Sequence, residues 1–189
     1  MKIILGSQSK GRKRVMEEMG FQFEVMSSDI DEKAIRHDDP KILTMTLAHA
    51  KADVILPKIK EEAILITTDT VVVCNGKVLE KPEDENEARE FLRSYAVYPV
   101  EIITSVVVTN TAIKKQVEGT GSATIYFYPI PEEVIDQLIA EKEIFNLAGA
   151  FDIFGVFEKY IQKIEGERES IIGLPKALTL KLIEEVKKT

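Results

Sequence analysis

The sequence predicts a mixed α/β fold whose sheet carries a long antiparallel hairpin. Three observations predict it. Short β-branched apolar runs alternate with segments of helical periodicity, an Asn75-Gly76 dipeptide follows one such run, and two long β stretches, Val100 to Thr109 and Thr120 to Tyr128, are separated by a polar turn around Ile113 to Gly121. The hairpin-rich middle excludes a purely parallel doubly wound sheet.

Taken in order, Ile3-Ile4-Leu5 is a buried strand that ends at the polar turn Gly6-Ser7-Gln8-Ser9. From Lys10 to Met19 the apolar residues Val15, Met16 and Met19 fall at helical spacing in a basic helix, and Gly20 stands where a C-terminal stop belongs. Phe21, Phe23 and Val25 alternate with polar residues as in a half-buried strand. An acidic loop, Ser27 to Glu32, precedes a helix that starts at Asp39-Pro40, carries Leu43, Leu47, Ala50 and Val54 on one face, and stops before Pro57. The runs Ala63–Ile66 and Val71–Val73 read as strands interrupted by Thr67-Thr68-Asp69-Thr70. A helix is expected from Glu85 to Ser94, another from Pro131 with Val134, Ile135, Leu138 and Ile139 inward, a strand from Tyr160 to Ile164, and a last helix from Pro175 to Lys188.

The 189 residues form one domain's length of chain, and 44% apolar with 30% charged residues suit a buried core under a solvated surface. With 25 Lys+Arg against 32 Asp+Glu the formal charge is −7, which argues against an extended nucleic-acid groove and leaves small phosphorylated ligands open. No apolar window is long enough to span a membrane. A lone Cys74 cannot close a disulfide, so a cytoplasmic setting is expected.

Four features could carry chemistry, and each also has an ordinary structural reading. Ser7 and Ser9 with Arg12 and Arg14 place hydroxyls, free amides and guanidinium groups at one helix start, which suits an anion but equally an N-cap. Asp69 lies between two apolar runs, where a carboxylate is costly unless paired or metal-bound; the alternative is a turn residue bonded to its threonine neighbours. Glu32 with Asp29 or Asp31 suits Mg2+, and a solvated acidic loop is the plainer reading. Lys51 and Lys81 could meet phosphate or snorkel at the surface. Together they offer what phosphoanhydride cleavage needs: cations and amides for a triphosphate, oxygen ligands for a divalent ion, and a carboxylate for a water. Neither His37 nor His49 has zinc-type spacing, and no dinucleotide fingerprint or nucleophile elbow is present.

These residues resemble, in order, the Maf-like nucleoside-triphosphate pyrophosphatases, a family related in fold to the inosine-triphosphate pyrophosphatases. The blocks are Leu5-Gly6-Ser7-Gln8-Ser9 with Arg12, Asp29-Ile30-Asp31-Glu32, Ala48 to Ala52, Thr68-Asp69-Thr70-Val71-Val72-Val73, Lys81-Pro82 with Asp84, Ala148-Gly149-Ala150 and Gly173-Leu174-Pro175. Glu18 to Phe21, Asp31 to Arg36 and Ile130 to Ile135 look more like the eukaryotic, plant or protist branch than the bacterial one.

The resemblance implies one domain over residues 1–189 with two lobes around a central cleft, hydrolysing a nucleoside triphosphate at the α-phosphate to monophosphate and pyrophosphate. The implied substrates are modified or pyrimidine (dTTP- or UTP-like) nucleotides, and the implied cofactor is Mg2+, with Mn2+ as the alternative. By position, Asp69 would accept the proton of the attacking water and ligate the metal with Glu32; Ser7, Arg12, Lys51 and Lys81 would hold phosphates; Thr70 would lie near the base. Gly11 stands at a position linked to substrate choice where the family often has arginine, and Phe154 stands where pyrimidine-preferring members carry Gln. Asn146-Leu147 replaces an Asp-Lys pair. Losing an amide able to bond a base edge argues against pyrimidine preference. Family members are often dimers, which allows a homodimer here. The rival reading is a nucleotide-binding regulator of septum formation and cell division with little turnover.

Overall fold

In the computed structural model, which describes residues 1–188, the first apolar run forms β1 (Lys2–Leu5) and the basic segment forms α1 (Lys10–Glu18). Ser9 caps α1 by accepting from the Arg12 N–H, and Gly20, with φ +78°, ends it. Then come β2 (Glu24–Val25) and α2 (Pro40–Ile55), which is capped by the Asp39 side chain with Pro40 at its first position. Both β2 and β3 (Ala63–Cys74) pair parallel to β1, with Leu5 opposite Val25 and Ile66. Parallel neighbours require crossovers, and α1 and α2 supply them.

Positive φ at Asn75 (49°) and Gly76 (72°) turns the chain into β4 (Lys77–Leu79), antiparallel to β3. Asp84 caps α3 (Glu85–Ser94). Strands β5 (Val100–Asn110) and β6 (Lys115–Phe127) form the expected long hairpin. They are followed by α4 (Glu132–Glu141), β7 (Ile161–Gly166), α5 (Arg168–Ile172) and α6 (Lys176–Lys187). The sheet order is β2-β1-β3-β5-β6-β7, with β4 on β3. The sheet is therefore mixed, as expected.

Four expectations need correction. Residues 63–74 are one continuous strand rather than two runs broken at Thr67 to Thr70, so Asp69 is a mid-strand residue and not part of a turn. The turn of the long hairpin is only residues 111–114, since β6 begins at Lys115. Its polar first half alternates half-buried with exposed side chains, and Gly119 and Gly121 admit Leu178 and Pro175 close to the strand, at 2.7 and 3.0 Å from where a Cβ would stand. The strand near Phe21 shrinks to two residues, with Phe21 and Phe23 packing on the core instead. Helix α5 was not expected, because five residues are too few to show a period.

The described chain groups into two compact units: Met1–Thr70, Ile103–Gly121 and Glu167 onward form the first, Val71–Ile102 and Ser122–Gly166 the second. The chain changes unit within β3, β5 and β6 and again after β7. In the first unit both faces of β1 and β3 are covered. Leu5, Ile64 and Ile66 join Val106 and Val108 against Val15, Met16, Leu174, Leu182, Ile183 and Val186, while Ile4 and Leu65 share a second cluster with Ala52 and Ile55. Coverage on both sides is why these strands read as unbroken apolar runs.

In the second unit Tyr95 stacks on Phe127 at 5.4 Å and meets Phe151 edge-on at 5.6 Å, and its hydroxyl donates to the Gly149 carbonyl. Gly149 has φ +66°, and a Cβ there would lie 2.8 Å from the Tyr95 oxygen, so this glycine allows the approach. Burial pushes the Tyr95 hydroxyl well above its ordinary pKa, which keeps it a donor.

Two substitutions test this packing. Removing the Tyr95 hydroxyl orphans a buried carbonyl, so Tyr95→Phe should cost about 1–3 kcal/mol in denaturant titration. In α6 the Thr179 hydroxyl is buried with no hydrogen-bond partner among the described residues. Thr179→Val should therefore be neutral or raise stability by up to about 1 kcal/mol, which thermal melts would show.

Candidate active site

The opening turn begins at Gly6, whose N–H donates to the Ile66 carbonyl at 2.8 Å and whose missing Cβ leaves room for Thr67 and Ile55. Ser7 follows, and its hydroxyl accepts from the Ser9 N–H (3.2 Å) and from Arg12 Nη1 (3.2 Å). Two N–H donors onto one hydroxyl oxygen leave its own proton available to a ligand. The amides of Lys10 and Gly11, in the first turn of α1, have no partner within the described residues. A hydroxyl donor and open helix-start amides are what an oxyanion binds.

Arg12 is turned into the fold. Nε donates to the Gly173 carbonyl at 3.0 Å, Nη1 to Ser7 Oγ and to the Thr68 carbonyl at 3.4 Å, and Nη2 to Thr70 Oγ1 at 3.2 Å. One donation from Nε, two from Nη1 and one from Nη2 use four of its five N–H groups. Burial lowers its pKa and the charges of Asp69 and Glu32 raise it. The network runs on: Thr104 Oγ1 donates to the Ser170 carbonyl (3.0 Å), so the 2.9 Å contact between Thr70 and Thr104 is a donation from Thr70. The Thr70 hydroxyl thus lies between Arg12 and Thr104. Gly173, at φ +93°, brings its backbone to Arg12; a Cβ there would stand 2.9 Å from both Arg12 Nε and Thr70 Oγ1.

Asp69 sits in the middle of β3, 6% exposed, and Lys51 is equally buried on α2. Lys51 Nζ lies 2.5 Å from Asp69 Oδ1 and 2.9 Å from Glu32 Oε1. The lysine is therefore not a snorkelling surface residue. Glu32 begins a short 3-10 turn capped by the Asp31 side chain, and its side chain is 56% exposed. Lys51 is bonded to Oδ1 of Asp69, and Oδ2 has no hydrogen-bond partner among the described residues. Burial raises the Asp69 pKa above the ordinary carboxylate value, against the opposing pull of Lys51 and then Arg12. A more basic carboxylate, tied at one oxygen and unbonded at the other, can orient a water and take its proton.

No group of three His, Cys, Asp or Glu side chains converges within the described residues as in an all-protein metal cage. Two carboxylates reaching one cation position do fit Mg2+, which is held by one or two carboxylates and takes its remaining oxygens from water and phosphate.

The Maf-like protein model matches residues 2–186. The chain belongs to the Maf-like family. This Maf-like chain is 46% identical to the 7-methyl-GTP pyrophosphatase of Dictyostelium discoideum over 97% of its length and 96% of that protein's. It is 34% identical to the dTTP/UTP pyrophosphatase of Alkaliphilus metalliredigens (92% of this chain, 90% of that one) and 34% identical to that of Carboxydothermus hydrogenoformans (94% of each). The HAM1 protein of Coxiella burnetii superposes with a TM-score of 0.46 at 12% identity, over 69% of this chain and 75% of that one.

Of the residues singled out in the sequence, Ser7, Arg12 and Thr70 share one network, and Glu32, Lys51 and Asp69 share another in the same unit. Gly11 packs where a Cβ would meet Ile172 Cγ2 at 2.7 Å, so α5 rests on it. Lys81 and Phe154 belong to the second unit, both exposed. The sequence reading missed Thr104 and the Ser170 carbonyl, because a threonine inside a β stretch carries no local signal of what it bonds. Lysine cannot span four acceptors arranged for a guanidinium fork. Arg12→Lys should therefore lower stability by about 1–3 kcal/mol and reduce turnover, while circular dichroism stays native-like.

Proposed function

We propose that this Maf-like chain hydrolyses a nucleoside triphosphate to the monophosphate and pyrophosphate. The observation that carries it is the Asp69 carboxylate, buried in a strand, paired at Oδ1 with Lys51 and without a hydrogen-bond partner at Oδ2 among the described residues. A water held at Oδ2 gives its proton to Asp69 as its oxygen attacks the α-phosphorus; the bond from that phosphorus to the bridging oxygen breaks, and pyrophosphate leaves with the bond's electron pair. The Ser7 hydroxyl and the Lys10 and Gly11 amides bind phosphate oxygens, with Arg12 holding Ser7 in place. Asp69 and Glu32 would hold Mg2+, which when bound neutralises charge growing on the phosphate oxygens.

Modified nucleotides are the proposed substrates. The 46% identical relative is named for 7-methyl-GTP, and Phe154 replaces the glutamine of pyrimidine-preferring members, offering a ring instead of an amide. The cytoplasm is the proposed setting, in keeping with a buried free Cys74. Relatives named as pyrophosphatases favour turnover over a binding-only regulator.

The test is pyrophosphate release from 7-methyl-GTP, dTTP, UTP and the common triphosphates, with and without Mg2+. Release from 7-methyl-GTP should exceed that from dTTP and UTP. Asp69→Asn should reduce kcat by about 10²–10⁴-fold with the circular dichroism spectrum unchanged. An undiminished Asn variant, or a wild-type chain that binds nucleotides without releasing pyrophosphate, would refute the proposal.

A further inference from the structure

Lys51 was expected to face phosphate, yet its ammonium lies between the two carboxylates expected to face the metal, 2.5 Å from Asp69 and 2.9 Å from Glu32. It donates a hydrogen bond to Asp69 and makes an ion pair with Glu32. The two contacts differ. Asp69 and Lys51 have side chains 9% and 7% exposed, so that pair is held in a low-dielectric setting; Glu32, at 56%, is open to solvent and its bond is easily exchanged. A divalent ion and this ammonium cannot both occupy the space between the same two carboxylates, because they would repel at contact distance. Something must compensate Lys51 before the carboxylates are released to a metal. In the same unit, the Ser7 hydroxyl and the open Lys10 and Gly11 amides provide an anion corner whose Arg12 donates both to Ser7 and to the carbonyl of Thr68, the residue before Asp69.

We infer that Lys51 is a built-in stand-in for the divalent cation, displaced when a polyanion arrives, so that metal and phosphate bind as a coupled pair rather than independently. This rests on the hydrolase reading above and adds an order to it: the ligand-free chain binds metal poorly, and an anion that engages Lys51 opens the cation site. By linkage the coupling is reciprocal, so the metal strengthens anion binding by the same factor. The arrangement keeps Asp69 paired at all times, first with an ammonium and then with a metal, which avoids an uncompensated buried charge at every stage.

The experiment is Mn2+ binding to the nucleotide-free chain, read by the loss of the free-ion electron paramagnetic resonance signal. Wild-type chain should bind Mn2+ at least ~10-fold more weakly than Lys51→Met, a replacement of similar volume, and adding Asp69→Asn to Lys51→Met should abolish the gain. A second arm needs no variant. Sulfate, a weak chelator, should tighten Mn2+ binding by the wild-type chain relative to chloride at equal ionic strength, and should have no such effect on Lys51→Met. Equal Mn2+ affinities for wild type and Lys51→Met, or no sulfate effect on wild type, overturn the inference. Pyrophosphate release by the same wild-type preparation is measured separately, so a chain that hydrolyses triphosphates but shows no Lys51 effect sinks this inference alone.

Discussion

A lysine ammonium and an aspartate carboxylate 2.5 Å apart, neither side chain more than a tenth exposed, set the terms for the first unit. Moving either charge out of water costs several kcal/mol, and the attraction between them repays this only with good geometry. Strand β3 and helix α2 must therefore meet in one register. The adjacent contacts are consistent with that demand: Thr67 donates to the Ala48 carbonyl at 2.8 Å, and Ala48 and Ala52, flanking Lys51, are fully buried. Apolar residues at 51 and 69 would pack with less penalty. The pair makes physical sense as retained chemistry, with the stability cost carried by the two apolar clusters around β1 and β3.

The second constraint is Arg12, which acts as a strut rather than an exposed clamp. Its donations reach Ser7 in the opening turn, the Thr68 carbonyl and the Thr70 hydroxyl on β3, and the Gly173 carbonyl at the end of α5. Because a guanidinium only donates, it fixes the direction of every bond downstream: Thr70 must pass its proton to Thr104, and Thr104 to the Ser170 carbonyl. The same rule frees the Ser7 proton. One permanently protonated side chain thus determines which groups in the corner can donate to an oxyanion and which cannot.

Much of this was legible in the chain, for reasons that particular residues make plain. Asp39-Pro40, Asp84 and Asn75-Gly76 are local chemistry, where the side chain or its φ preference acts within a few residues, and each marks its boundary in the structure. Tertiary effects were not legible. Thr67 to Thr70 look like a break because polar residues usually end strands, and here they continue one because each finds a partner distant in sequence: Ala48, Gly173, Lys51, Arg12. The first half of β6 looks like a turn because Gly119 and Gly121 weaken the strand pattern, and their reason is the approach of Leu178 and Pro175, some sixty residues later in the chain. In the site, residue types singled out Ser7, Arg12, Glu32, Lys51 and Asp69, and the fold places all five in one unit. Spacing could not say that Lys51 would face the acids and Arg12 the backbone.

The two compact units are interleaved: one is assembled from three stretches of chain and the other from two, and three of the four crossings fall inside strands rather than linkers. Neither unit is a contiguous piece of polypeptide, so neither could be gained, lost or swapped by a single insertion or deletion of sequence. Lineages of this chain are left to diversify by point changes and loop lengths, with the half that carries Asp69 and the half that carries Lys81 inherited together.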